Sequence, residues 1–313
     1  MSMSDQLPTG VLLLDKPVGP TSHDLVATVR RILSKQFSES RLPAIALATA
    51  GKIKVGHAGT LDPFATGLLV IGIGSATRLL EYTKIWSKEY EAEITLGATS
   101  TTDDVAGEIS EIGEVRKVSH EAVTNVLQEF IGEIDQVPPG YAAIKVHGKK
   151  LYEYARAGQA VEIKPRRIHI HSIELLTYTY PKLTIRVSCG SGTYIRALAR
   201  DIGAALHVGG YCSALRRTRH GVFLATNSLP LANLTVKKIL AHLLLTEQLI
   251  AELPAVTITI EQAAAFRQGK QIPLLVEQLA MGQVAVFDQE KNLIGIGTFT
   301  TTGQLTPKKV LSI

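Results

Sequence analysis

One glycine-rich turn that runs directly into an apolar strand dominates this sequence: Val55-Gly56-His57-Ala58-Gly59-Thr60-Leu61-Asp62-Pro63-Phe64-Ala65-Thr66-Gly67, then Leu68-Leu69-Val70-Ile71. Gly56, Gly59 and Gly67 allow backbone angles that other residues avoid, and Pro63 favours an extended conformation at the residue before it. The turn therefore predicts a tightly specified backbone around one side chain, Asp62.

Asp62 is the one acidic residue between residues 41 and 80. A single carboxylate acts most naturally as a nucleophile or as a general base, whereas paired-carboxylate hydrolysis needs a second acid folded back from elsewhere. In a partly buried site it needs a cationic partner, and arginine suits a carboxylate best. Arg196, which begins a predicted helix after a glycine turn, is one candidate, although periodicity alone fits a solvent-exposed arginine equally well. The alternative for Asp62 is a hydrogen bond within the turn.

The composition is that of a globular protein. The chain has 313 residues, of which 45% are hydrophobic and 19% charged, enough for one large and one small domain. No apolar run approaches the length of a membrane span, and residues 1–10 lack a signal-peptide pattern. We therefore expect a cytoplasmic protein without a membrane partner.

The two cysteines, Cys189 and Cys212, form no Cys-x-x-Cys pair and have no histidine at metal-ligand spacing. The sequence predicts neither a disulfide framework nor a zinc site. Both are expected to be small, reduced core residues.

The net charge of +5 is unevenly distributed. Residues 101–135 contain nine acids against Arg116 and Lys117, whereas residues 145–219, the basic block, contain fourteen Lys and Arg against four acids. Such density favours a polyanionic partner such as nucleic acid, while the alternative is a merely solvated face.

Apolar periodicity predicts alternating strands and helices. Strands are expected at Gly10 to Pro17, Leu68 to Ile71, Glu89 to Leu96 and Leu183 to Cys189. Helices are expected in the segment that contains Leu33, from Ile195 to Leu206 and from Leu234 to Leu253. From about residue 250 the pattern changes to short strands with glycine turns. We predict two domains, 1–249 and a small β-rich unit, 250–313.

The turn around Asp62 resembles the catalytic loop of the TruB family of tRNA pseudouridine synthases. Further ordered blocks extend the resemblance over nearly the whole chain: Gly10 to Pro17; Lys88-Glu89-Tyr90; Leu96-Gly97 with Thr99, Thr101 and Asp103 to Gly107; Val137-Pro138-Pro139-Gly140-Tyr141 with Lys145, Gly148 and Tyr152 to Arg156; Gly192-Thr193-Tyr194-Ile195-Arg196; and Leu215-Arg216-Arg217. The tail, with Gly303-Gln304-Leu305-Thr306-Pro307, is similar to the PUA domain of this family.

The resemblance implies an α/β fold with a mixed, mainly antiparallel central sheet flanked by helices. It also implies isomerisation of uridine to pseudouridine at position 55 in the T-loop of tRNA, with no cofactor or metal. Asp62 falls on the family's nucleophile, Arg196 on its ion-pair partner and Tyr90 on the tyrosine that stacks on the target base.

The resemblance assigns substrate-binding positions to five further residues. His57 matches the histidine that helps hold the T-loop with its target base extruded, Tyr194 and Leu215 match residues lining the base pocket, and Lys16 and Lys145 match basic positions near the RNA. The sequence departs from the family pattern in a longer segment from Ser34 to Lys54, in Ala58 for Thr or Ser, and in Ala142 for Ser.

The expected partner is the T stem-loop of tRNA, bound by a monomer without a guide RNA. Two alternatives remain. The chain could act mainly as an RNA-binding or tRNA-folding protein, a role that could also accompany catalysis. It could instead be a guide-dependent synthase of the archaeal and eukaryotic branch, which shares the Asp62 loop. The acidic insertion from Thr101 to Asp135 and the basic block argue against that branch.

Overall fold

The computed structural model describes residues 7–39, 53–113, 117–142, 145–146, 148–151, 154, 159, 161–274 and 281–311. Most of the segment that departs from the family pattern, residues 40–52, lies outside the described residues.

A large mixed sheet forms the centre of the fold. Its strands are β1 (Gly10–Lys16), β2 (Val55–Ala58), β3 (Thr66–Ile73), β4 (Lys88–Leu96), β7 (Gly132–Gln136), β10 (Arg166–Thr179), β11 (Lys182–Cys189), β12 (Gly210–His220), β13 (Phe223–Leu224) and β14 (Leu229–Pro230). The order is β14-β1-β3-β12-β4-β11-β10-β7, with β2 on β3 and β13 on β12. Among the described strands of this sheet, β1–β14 and β3–β12 are the parallel pairs and the others are antiparallel. The predicted mixed, mainly antiparallel sheet is confirmed.

Small hairpins are added at the margins of this sheet. They are β5 (Ala98–Ser100) with β6 (Ile109–Glu111), and β8 (Lys145–Val146) with β9 (Lys149–Lys150).

The helices cover different parts of the sheet. They are α1 (Ser22–Glu39), α2 (His120–Glu129), α3 (Ile195–Ala205), α4 (Val236–Ala241) and α5 (Ile260–Arg267). The apolar faces of α2 and α3 pack on β4, β10 and β11, whereas α1 packs on β1 and β3. Leu68 and Val70 enter one core cluster while Leu69 and Ile71 enter another. The strand after Asp62 is continuously apolar because both of its faces are buried.

The predicted helix from Leu234 to Leu253 is wrong over most of its length. Only Val236–Ala241 is α-helical, and a short 3₁₀ turn covers Thr246–Ile250. Between them Leu244 exchanges two backbone hydrogen bonds with Val11, at 2.9 and 2.8 Å. Pairing with β1 therefore replaces helical hydrogen bonds that the apolar pattern alone suggested.

The C-terminal part forms a second sheet of β15 (Ala255–Thr257), β16 (Ile272–Pro273), β17 (Gly282–Phe287), β18 (Leu293–Phe299) and β19 (Gln304–Val310). Its strand order is β15-β17-β18-β19-β16. Ala285, Leu293 and Ile296 share a core cluster with Leu68 and Val70 of the large sheet. Lys309 adds an ion pair with Glu81 and a hydrogen bond to the Arg78 carbonyl. The small β-rich unit thus packs on the segment that follows β3.

Both cysteines are buried thiols that form no disulfide, as predicted. None of the helices in the described part of the chain has the length and apolar character needed to cross a membrane.

Candidate active site

The backbone of the Asp62 turn is specified by two glycines. Gly59 and Gly67 have φ values of +68° and +96°. A Cβ atom at Gly67 would lie 2.3 Å from the carbonyl oxygen of Arg217 on β12. At this point β3 and β12 are therefore too close together for any side chain. Gly56 has no positive φ, contrary to the sequence prediction; a Cβ there would instead crowd Leu80, at 3.2 Å.

Buried side chains anchor this turn on both sides of Asp62. Ser22, 1% exposed, accepts from the Leu61 amide at 2.9 Å and donates to the Leu61 carbonyl at 3.1 Å. Lys16 donates to the carbonyls of Pro63 (3.0 Å) and Ala65 (2.6 Å). These bonds fix the backbone that carries the carboxylate.

Arg217 anchors the start of the turn. Its side chain is fully buried on β12, and it donates from Nε to the Leu68 carbonyl (2.7 Å) and from Nη2 to the Gly59 carbonyl (2.9 Å).

Asp62 and Arg196 form the central ion pair. Nε of Arg196 lies 2.9 Å from Oδ2 of Asp62, and the side chains are 6% and 38% exposed, respectively. The arginine is therefore enclosed while the carboxylate faces open space. Arg196 lies in the first turn of α3 and is buried. The structure therefore agrees with the interpretation of Arg196 as the partner of Asp62 and not with that of a solvent-exposed helix arginine.

A second acid, Asp104, shares the same arginine. Nη1 of Arg196 lies 3.2 Å from Oδ2 of Asp104, which is 4% exposed. The guanidinium also donates to the carbonyls of Thr102 (3.1 Å) and Tyr141 (3.3 Å). The sequence did not identify Asp104, because it lies far along the chain in an acidic stretch. Arg196 is thus held by protein on three sides and presents Nε to Asp62.

The electrostatic setting of Asp62 combines opposing effects. Burial raises the pKa of Asp62 above its ordinary value, and Asp104 raises it further, while Arg196 and then Lys16 lower it. The ionised carboxylate consequently depends on its two cationic neighbours.

A cavity of about 300 Å³ lies over the ion pair. Asp62, Tyr90, Tyr194, Arg196 and Leu215 all line it. Tyr90, from β4, is 8% exposed, and burial raises the pKa of its phenol, so the hydroxyl keeps its proton at neutral pH. Five of the eight predicted site residues therefore meet around one space of nucleobase size.

Tyr194 is positioned by a side chain that the sequence did not single out. Gln136, 1% exposed at the end of β7, accepts from the Tyr194 amide at 2.9 Å and donates to the Tyr194 carbonyl at 3.1 Å. Leu215 enters from β12, where its carbonyl accepts from Thr66 at 3.3 Å.

His57 does not line this cavity. It lies on β2 and lines a neighbouring cavity of about 580 Å³; Gly59 borders both. Its ring packs edge-on against His23 at 5.7 Å, and its buried Nδ1 has no hydrogen-bond partner among the described residues. Burial lowers the pKa of His57, with His23 and Arg217 adding to the effect.

Lys16 lies beneath the Asp62 turn, and its predicted place near the RNA stays a prediction. It is fully buried, and its ammonium donates to the carbonyls of Pro17, Pro63 and Ala65. With its three protons directed at protein oxygens, it holds the turn. Lys145 lies in β8, but its side chain lies outside the described part of the structure.

Much of the basic block is neutralised within the protein. Its described cations that pair with acids are Arg167, Lys182, Arg186, Arg196, Arg200, Arg216 and Arg219. Arg166 is exposed; burial raises the pKa of Tyr194, and the charge of Arg166 partly opposes that rise. The positive charge that the basic block offers to a polyanionic partner is therefore smaller than its number of Lys and Arg residues indicates.

Among the described residues, no group of three or more His, Cys, Asp or Glu is placed to share a metal ion. The described cavity brings together a carboxylate, its arginine, a lysine and several tyrosines.

Comparisons with known proteins agree with this geometry. Residues 47–195 match the N-terminal domain of TruB family pseudouridylate synthases, and residues 254–311 match the C-terminal domain of pseudouridine synthase II TruB. The chain is 41% identical to tRNA pseudouridine synthase B of Trichormus variabilis, covering 96% of this chain and 98% of that protein. It is also 41% identical to tRNA pseudouridine synthase B of Dehalococcoides mccartyi, covering 96% of each.

Two solved structures are similar over nearly the whole chain. One is an H/ACA RNP bound to a substrate RNA containing 2′-deoxyuridine (TM-score 0.71, 26% identity, covering 99% of this chain and 87% of that chain). The other is a Cbf5-Nop10-Gar1 complex (TM-score 0.69, 26% identity, covering 97% and 84%).

Proposed function

This chain belongs to the TruB family of pseudouridylate synthases, and from that premise we propose that it isomerises the uridine at position 55, in the T-loop of tRNA. As a member of this family it is an isomerase that forms pseudouridine in tRNA. The observation that supports the specific proposal is the Asp62–Arg196 pair, whose carboxylate faces a cavity large enough for one base.

Asp62 is the nucleophile in this proposal. Its carboxylate is the acid that lines the described cavity, and Arg196 keeps it ionised despite burial. Asp104 is enclosed behind the guanidinium and bonded to Thr102 Oγ1 and the Ala106 amide, which leaves it a positioning role. One acid therefore attacks and the other orients its partner.

The target base must leave the RNA stack to reach Asp62. Extrusion costs a few kcal/mol and is easier in a loop than in a duplex. Tyr90 offers an aromatic face in the cavity, and stacking on such a face is worth about 1–3 kcal/mol. Arg166, exposed near Tyr194, is suited to a phosphate at the mouth of the cavity.

The C-terminal sheet is proposed to be a PUA-like RNA-binding domain, beginning near residue 250. The match over residues 254–311 and the sheet from Ala255 to Val310 support this boundary. An additional tRNA-folding role would use the same RNA contacts without Asp62.

We propose that the protein acts without a guide RNA and as a monomer in the cytoplasm. The similar RNP chains are 26% identical to this chain, whereas the tRNA pseudouridine synthase B relatives are 41% identical over nearly their full length. The purified protein should therefore modify free tRNA.

The experiment uses an unmodified tRNA transcript and a matched transcript with cytidine in place of the target uridine. Carbodiimide labelling followed by primer extension should report one pseudouridine in the T-loop of the first transcript and none in the second. Modification elsewhere in the tRNA, or a requirement for added guide RNA, would contradict the proposal.

A further inference from the structure

Lys88 lies in the same cavity as Asp62 and has no role in the mechanism described so far. It begins β4, two residues before Tyr90, so both side chains point to the same face of the sheet. Both line the cavity together with Asp62. An amine placed beside an extruded base is available to the reaction.

The ammonium of Lys88 is held by backbone oxygens alone. Nζ donates to the carbonyls of Trp86 at 2.9 Å and Lys84 at 3.5 Å. Within the described residues no carboxylate lies within ion-pair distance of it. Since an ammonium carries three protons, one remains for a ligand in the cavity.

The groups that face Lys88 from neighbouring elements supply no counter-charge. Two of these groups lie on β12. Arg217 is a buried cation, and His220 is neutral because its pKa is lowered to about 3. From β11 comes Cys189, whose thiol pKa is raised to about 11. Asp62 across the cavity is already paired with Arg196. The space in front of Lys88 and Arg217 therefore suits a group that gains negative charge.

We propose that Lys88 is a further catalytic residue, whose ammonium donates a hydrogen bond to a carbonyl oxygen of the extruded uracil as negative charge develops there. The proposal rests on the proposed function but not on where Asp62 attacks. Attack at C6 moves the C5–C6 π electrons onto a carbonyl oxygen, and attack at C1′ moves the C1′–N1 bonding pair onto the base. On the C6 route the C1′–N1 bond then breaks with its pair on N1, the C5 electrons form the bond to C1′, and loss of the C5 proton expels Asp62 from C6. On the C1′ route the base turns, C5 bonds to C1′ and displaces Asp62, and C5 then loses its proton. In both routes N1 ends with a proton, Asp62 is released as a carboxylate, and Lys88 keeps its own proton.

The ionisation of Lys88 agrees with this role. Burial, assisted by Arg217, lowers its pKa to about 8, so the amine remains mostly protonated at neutral pH. The protonated form is lost as the pH rises through about 8. The pKa values of Tyr90 and Cys189 are both raised, so neither group accounts for an alkaline loss of activity near pH 8.

The test compares Lys88→Met, Lys88→Arg and the wild type on a T-stem-loop RNA, with Lys182→Met as the matched control, because Lys182 is an exposed lysine on β11. We expect Lys88→Met to lower kcat by about 10²- to 10³-fold, the usual effect of removing one donor to a developing oxyanion, with KM changed by only a few-fold. The wild-type kcat/KM should fall above pH 8, and this fall should be absent in Lys88→Met and in Lys88→Arg.

The outcomes separate the two proposals. A wild type that forms no pseudouridine removes the proposed function itself. If the wild type is active, two results overturn the role of Lys88 alone. One is activity of Lys88→Met within threefold of the wild type. The other is the same fall in activity above pH 8 in Lys88→Met, since a purely structural lysine would lower activity without moving the pH profile. If Lys88→Met does not fold by circular dichroism, Lys88→Gln, which can still donate to the Trp86 carbonyl, carries the same comparison.

Discussion

Nε of Arg196 lies 2.9 Å from Oδ2 of Asp62, with the arginine enclosed and the carboxylate open to the cavity. Burial raises the pKa of Asp62 overall, and Arg196, which stays charged at any pH at which proteins are folded, opposes that rise. The same guanidinium is fixed from behind by Asp104, Thr102 and Tyr141. The orientation of the Asp62 carboxylate is thus set largely by the groups that hold Arg196.

Asp104→Asn should weaken catalysis and shift its pH dependence. Loss of one charged hydrogen bond, worth about 1.5–3 kcal/mol, should lower kcat by roughly 10- to 100-fold through a less firmly held Arg196. Asp62 acts as the ionised form, and Asp104 raises its pKa. Removing that charge should move the acid limb of kcat/KM to lower pH. An acid limb that stays in place or moves upward would count against the shared-arginine arrangement.

Lys16→Met should destabilise the Asp62 turn and leave the electrostatics of RNA binding intact. The carbonyls of Pro63 and Ala65 would lose a buried donor, which typically costs about 1–3 kcal/mol in the free energy of unfolding. Urea unfolding measures that loss, with Lys237→Met, at an exposed lysine on α4, as the control. The dependence of RNA affinity on salt should not change; a slope smaller by about one unit would mean that Lys16 does contact a phosphate.

Gly67→Ala should be far more damaging than Gly132→Ala, although both glycines have positive φ, +96° and +104°. A Cβ at Gly132 meets no atom within 4 Å, so that substitution should cost about 1–3 kcal/mol of backbone strain. A Cβ at Gly67 would collide with the backbone of Arg217, whose carbonyl oxygen would be 2.3 Å away. Urea unfolding of the two variants isolates the collision, and equal losses would show that β3 and β12 do not approach so closely.

His220→Gln should weaken the dependence of the free energy of unfolding on pH below neutral pH. His220 is fully buried beside Lys88 and Arg217, and burial is the largest cause that lowers its pKa to about 3. In the unfolded chain the histidine binds a proton near pH 6.5. The stability that comes from burying the neutral histidine is therefore lost as the pH falls from 6.5 toward 3. The slope of unfolding free energy with pH should decrease by up to about 1.4 kcal/mol per unit in that window. An unchanged slope in His220→Gln would mean that the histidine is protonated in the folded protein.

Sequence patterns predicted the features that depend on local geometry. The apolar run after Asp62, the alternating strand that became β4 and the helix that begins at Ile195 all appear in the structure. The predicted helix to Leu253 failed because Leu244 pairs with Val11, a contact between distant parts of the chain.

The site was predictable mainly through the family resemblance. It brought Asp62, Tyr90, Tyr194, Arg196 and Leu215 together, and the cavity contains all five. Asp104, Gln136 and Ser22 were missed because each acts by filling a buried hydrogen-bonding position that appears only after folding. The buried, hydrogen-bonded position of Lys16 was not predicted either, since a lysine in a sequence does not reveal whether it is solvated.

The most direct test of the central claim is pseudouridine formation by Asp62→Asn. A T-stem-loop RNA is incubated with wild type or variant in excess, digested to nucleosides and analysed by chromatography, with affinity measured in parallel. Asn keeps the shape of the side chain but removes its charge and most of its nucleophilicity. We predict conversion of the target uridine by the wild type, and binding without any conversion by Asp62→Asn. Conversion by Asp62→Asn at the wild-type rate would contradict the assignment of Asp62 as the nucleophile.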